Sequence, residues 1–120
     1  MKLSMILILV LSASASLAQD NDQPENFFMV TYTTGPNWDH AKSPNDQEHF
    51  AEHSRHLSQL RKEGVIKLGA RAGEEGIIIF VAADMDDAKN LVETDVAVSS
   101  GLFNTDVKPF NVFYPGCVER

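Results

Sequence analysis

The sequence predicts an α+β domain in the order strand, helix, strand, strand, helix, strand, with a four-stranded antiparallel sheet and both helices on one face. Three observations predict it. Four segments are short and rich in aromatic or β-branched residues, two others repeat apolar residues at helical spacing, and Gly, Pro and Asp stand at the boundaries between them.

Residues 27–33 read as the first strand, with Phe28, Val30 and Tyr32 on one face and Phe27 and Met29 on the other. Gly35-Pro36 breaks it. The stretch up to Pro44, which contains Trp38 and His40, is a loop of the length that often carries function. Asn45 or Asp46 is placed to cap a helix running to Glu63, with Gly64 as its stop. Phe50, His53, Leu57 and Leu60 form its inner face. Residues 65–72 and 76–82 are two apolar runs joined by a hairpin turn at Gly73-Glu74-Glu75. Asp84 caps a second helix that turns Met85, Ala88, Leu91 and Val92 inward, and residues 96–103 form a connecting segment. Residues 107–114 read as the last strand, with Pro109 marking an edge or an irregular start. This is the split β-α-β, or ferredoxin-like, βαββαβ sandwich. Helices cover only one sheet face, and the other carries Phe27 and Met29, so the pattern predicts a homodimer packed sheet to sheet.

Ahead of the domain stands the pattern of a secretory signal peptide over residues 1–18. Lys2 is its basic start, Leu3 to Leu11 are apolar except for Ser4, and Ser16-Leu17-Ala18 supplies the small residues of a cleavage site. Cleavage after Ala18 gives a mature chain beginning at Gln19, exported to the periplasm or the medium. A spanning helix needs about 20 apolar residues, so no membrane attachment is expected after cleavage. Residues 19–26 are a polar, flexible start, residues 27–115 the domain, and residues 116–120 a tail.

Ten Lys and Arg against seventeen Asp and Glu give a net charge of −7. Nucleic acid and anionic membranes both demand a basic surface, so neither is an expected partner. Cys117 is the only cysteine, which excludes an intramolecular disulfide. A small exported domain without disulfides finds added stability in oligomerisation.

His53 lies in the middle of the apolar stripe of the first helix, where an imidazole needs hydrogen-bond partners. It is either a satisfied core histidine or an acid–base group. Continuing the wheel of the second helix brings Asp95 to the same inner side. On its own Asp95 reads as a helix-end residue, but with His53 it makes a plausible pair that orients the imidazole and raises its basicity. His49, His53 and His56 share a helix sector at i, i+4 and i+7, a spacing seen in metal sites, but His49 and His56 sit on the solvent flank and no paired cysteines accompany them. No metal or other cofactor is expected. Trp38 and Tyr32 are candidate pocket walls; Trp38 reads equally as a loop anchor.

The segment His53-Ser54-Arg55-His56-Leu57-Ser58-Gln59-Leu60-Arg61-Lys62-Glu63-Gly64 resembles the YCII-related (YciI-like) family, with its His, spaced leucines and Gly. Asp95-Val96-Ala97-Val98-Ser99-Ser100-Gly101 is similar to that family's Asp-Pro segment with Gly six residues on, and Val107-Lys108-Pro109-Phe110 to its closing strand. Val96 stands where the family usually has Pro, and Gly69-Ala70 where Gly-Pro is common. The resemblance covers roughly residues 28–114. It implies a dimeric α/β barrel with a His–Asp active site at His53 and Asp95. Relatives of this fold include isomerases, monooxygenases and dehydrochlorinases. The expected function is therefore a small cofactor-independent enzyme acting on a small organic molecule, or else a non-catalytic binding protein using the same pocket.

Overall fold

The computed structural model describes residues 26–119. The signal peptide and its cleavage point lie outside these residues. Strand β1 (Asn26–Thr34) is followed by helix α1 (Phe50–Lys62), strands β2 (Ile66–Ala72) and β3 (Glu75–Ala82), helices α2 (Met85–Glu93) and α3 (Val96–Ser99), and strand β4 (Phe103–Pro109). The sheet runs β2-β3-β1-β4 with every pair antiparallel, which is the ferredoxin-like order.

Alternation along the strands decides which side is core. Phe28, Val30 and Tyr32 of β1 are buried and stand opposite Phe80, Ile78 and Gly76 of β3. Leu57 and Leu60 of α1 and Ala88 and Val92 of α2 close over them. The opposite sheet face holds Phe27, Met29 and Thr31 beside Val81, Ile79 and Ile77, and Leu68 continues the row on β2. Its margin on β4 is polar, with Asp106 and Lys108.

Two of the helix ends expected from punctuation are present, the stop of α1 and the cap of α2. Gly64 takes the left-handed conformation (φ +77°) and donates to Arg61 O at 3.1 Å, while Val65 N donates to Leu60 O at 3.0 Å. Together these satisfy two carbonyls of the last turn of α1. Asp84 caps α2, its Oδ1 accepting from Asp87 N at 2.8 Å.

Three expectations need correction. Neither Asn45 nor Asp46 caps α1: residues Pro44–Asp46 form a separate 3-10 turn, and α1 begins at Phe50. The cause is Gln47, buried and extended, whose amide donates to Asp39 O (2.6 Å) and Lys42 O (3.2 Å) and accepts from Asp39 N (2.9 Å). Those bonds stitch the 39–47 loop closed, and His49 re-enters the helix through a left-handed φ of 67°. The second correction concerns α2, which does not continue through Asp95: it ends at Glu93, and Asp95 starts the short α3. The third is the last strand, which begins at Phe103 and ends at Pro109. Asn104, Asp106 and Lys108 alternate along its exposed side, so it lacks an apolar run. Phe110 N adds one further bond to Phe27 O (2.9 Å), and residues 111–119 carry no regular structure.

The loop after β1 is locked to the turn before β4. Gly35 N donates to Leu102 O (2.7 Å) and Asn37 N to Gly101 O (3.0 Å). A Cβ on Gly35 would fall 2.3 Å from Gly101 O, and that atom is backbone, which cannot swing away. Gly35→Ala is therefore expected to lower Tm by roughly 5–15 °C, from an overpacking cost of about 1–3 kcal/mol. Thermal melts followed by circular dichroism check this, and an unchanged Tm would show that the loop contact is not a constraint.

Candidate functional site

His53 sits in the first turn of α1, its N–H donating to His49 O at 3.0 Å, and Asp95 stands at the start of α3, so two separate elements fix their backbones. The side chains meet: His53 Nδ1 is hydrogen-bonded to Asp95 Oδ2. Both are buried, with 8 % of His53 and 2 % of Asp95 exposed. Asp95 Oδ1 also accepts from Ala97 N at 3.0 Å, which makes Asp95 the N-cap of α3. One carboxylate thus serves two elements.

The charge state follows from these contacts. Burial pushes the Asp95 carboxyl up, but the hydrogen bond from His53, the His53 charge, the Ala97 N–H and the His56 charge together hold it below the usual carboxylate range. An ionised carboxylate only accepts, so the proton of the bond belongs to Nδ1, and in the neutral ring Nε2 is the nitrogen with a free lone pair. Tyr32 moves the other way. Burial, and then the negative charge of Asp95, raise its phenol well above the ordinary value, so it stays protonated.

Aromatic rings enclose the imidazole. Its centroid lies 4.9 Å from Phe103, 5.4 Å from Tyr32 and 6.0 Å from Phe50. Phe103 in turn packs on Trp38 at 5.6 Å. These four rings line an open cleft of about 710 Å³, with His40, Arg71, Glu74 and Glu75 also on its walls. That volume is in the range of small-molecule sites. His53 does not itself line the cleft; it lies one ring behind it, with 10 % of its side chain exposed.

Tyr32 and Trp38 therefore both stand on the cleft wall, and His53 and Asp95 meet behind it. In the sequence Phe103 reads as the end of a connecting segment and carries no sign of a site residue. Its place is set by the β1–β4 register, where it pairs with Thr34. Arg71 and Glu74 were equally invisible as site residues, because only the β2–β3 hairpin carries them to the cleft. His49, His53 and His56 do not converge. His49 faces Glu52 (3.1 Å) and Glu48 (3.6 Å) on the surface and His53 faces Asp95, while His56, expected on the solvent flank with His49, instead buries its Nε2 against the core. Among the described residues no group of three His, Cys, Asp or Glu side chains is arranged to hold a metal ion.

Val96 needs no proline to place Asp95. It occupies the first position of α3, where Pro is favoured for its missing N–H, and the Asp95 backbone is extended (φ −73°, ψ 120°) as a cap requires.

The family model of the YCII-related domain matches residues 26–111. No curated protein matches the chain. The match spans the whole βαββαβ unit, and the chain belongs to the YCII-related domain family.

Proposed function

We propose that this YCII-related domain protein is an exported, cofactor-independent acid–base enzyme acting on a small organic molecule. His53 is the general acid–base group, Asp95 its orienting partner, and Trp38 and Tyr32 walls of the substrate site. The observation that carries the reading is the buried His53–Asp95 bond directly behind an aromatic cleft of ligand size. Asp95 holds the Nδ1–H tautomer, so Nε2 is a base toward a substrate proton, and the carboxylate stabilises the imidazolium that results. Phe50, Phe103 and Tyr32 pack around the imidazole and present apolar surface to a substrate in the cleft. For Nε2 to reach a substrate in the cleft, one of these rings must move aside as the substrate enters.

That requirement also supports a second reading, a binding protein in which the same pair is only structural. Native mass spectrometry of the purified protein against a small-molecule panel, followed by turnover assays on each ligand found, separates the two. Proton transfer or elimination on a bound ligand supports the enzyme; ligands bound tightly and returned unchanged support the binder.

The active form in this proposal is a homodimer. The helix-free sheet face with Phe27, Met29 and Leu68 supports it, as do Phe113 and Tyr114 in the C-terminal segment, 85 % and 87 % exposed. Cys117 is also exposed. Light scattering is expected to give twice the mass of one chain, with or without reducing agent, and Met29→Glu to shift it toward one chain. A well-folded monomer of the unaltered protein at micromolar concentration would refute the dimer.

A further inference from the structure

His56 is an inward-turned histidine that the acid–base pair does not use. It follows His53 by three residues on α1, and its Nε2 is buried without a hydrogen-bond partner. A ring nitrogen buried in that way is costly unless something bonds to it. Beside it lies a cavity of about 10 Å³ lined by His56, Tyr32 and Asp95 among apolar side chains. That is about the room that one water molecule needs.

The polar groups around the cavity are few. α1 contributes His56 and, one turn back, the His53 ring bonded to Asp95; β1 contributes Tyr32; and the α2–α3 junction contributes Asp95. β2, β3 and α2 present only Ile66, Phe80, Leu91 and Val92. Asp95 Oδ2 already receives the His53 bond and Oδ1 the Ala97 bond, and each oxygen has a second lone pair to offer.

We propose that this cavity is a one-water site and that His56 is a positioning residue, which holds the Asp95 carboxylate in line with His53 through that water. The inference rests on the acid–base reading above. His56 Nε2–H donates to the water, and the water donates to a carboxylate oxygen. Asp95 is then gripped from three sides, by His53, the α3 backbone and the water, and it cannot rotate away when the imidazole changes charge. The charge of His56 acts on Asp95 in the same direction.

The test follows the Asp95 carboxyl carbon by NMR through an acid titration of the whole protein, alongside His56→Leu and His56→Gln. The unaltered protein is expected to titrate below the ordinary carboxylate range. His56→Leu is expected to move the midpoint up by about half a pH unit or more, and His56→Gln, whose amide still donates to the water, by less than half that shift. A depressed midpoint that His56→Leu leaves in place overturns the water link alone. An ordinary midpoint in the unaltered protein overturns the His53–Asp95 pair and the link with it. If His56→Leu does not fold, an atomic-resolution crystal structure of the unaltered protein decides. Density for one water bonded to both His56 Nε2 and Asp95 supports the site, and a dry cavity overturns it.

Discussion

His53→Gln is expected to lower turnover of the protein's substrate by about 10²–10⁴-fold, the usual contribution of a positioned acid–base group. Gln is chosen because its amide can still donate to Asp95 Oδ2 from the same helix position, so the carboxylate is not stranded. Binding should change little, since the cleft walls are Tyr32, Trp38, Phe50 and Phe103, not His53. The loss therefore falls on kcat and leaves KM within a few-fold, the pattern of a group that acts only in the transition state. Circular dichroism and light scattering on the same sample show whether fold and assembly are kept. If His53→Gln retains full turnover with an intact fold, the imidazole is a core residue and its assignment as the acid–base group is wrong.

Asp95→Ala carries the largest expected stability loss. It removes a buried hydrogen bond to a charged group, worth about 1.5–3 kcal/mol, and the N-cap of α3, worth about 1 kcal/mol. The two share one side chain, so a total of about 2–4 kcal/mol is expected, a drop in Tm of roughly 10–25 °C. The same carboxylate sets an acid limit. Its folded pKa is depressed, so its contribution to stability is fully present above the unfolded value near about 4 and is lost as pH falls through the lower folded value. In Asp95→Asn that acid-side loss should be absent, because no charge remains to titrate. Denaturant melts between pH 2 and 7, as an order-of-magnitude window around that transition, test the sign directly.

The fold was legible because its signals are local. Alternation in residues 27–33, the helical stripe Phe50–His53–Leu57–Leu60, and Gly64 and Asp84 at their boundaries are each readable within one element. What escaped depends on contacts between distant segments. Gln47 displaces the start of α1 through bonds to Asp39 and Lys42 that no local pattern announces. β4 begins at Phe103, four residues before the apolar pattern suggests, because its edge position leaves alternate side chains polar. The site shows the same division. His53 drew notice as a polar residue on an apolar face, which is a sequence-level anomaly. The wheel of α2, extended, points to Asp95, whereas Asp95 faces inward because it caps α3. Phe103, the ring nearest His53, carries no signal of its own and enters the site only through sheet register.

The proposed site depends on His53 and Asp95 acting on each other, and a double-mutant cycle on folding stability measures that directly. The four proteins are the unaltered chain, His53→Leu, Asp95→Ala and the double variant. The predicted coupling energy is about 1–3 kcal/mol, in the range found for buried residues that share a hydrogen bond. The double variant should recover part of the Asp95→Ala loss, since no imidazole is then left stranded. The remainder is the lost cap to Ala97, which His53→Leu cannot restore. Additive losses within about 0.5 kcal/mol would show that the two residues do not interact in the folded protein, and would contradict the proposed site.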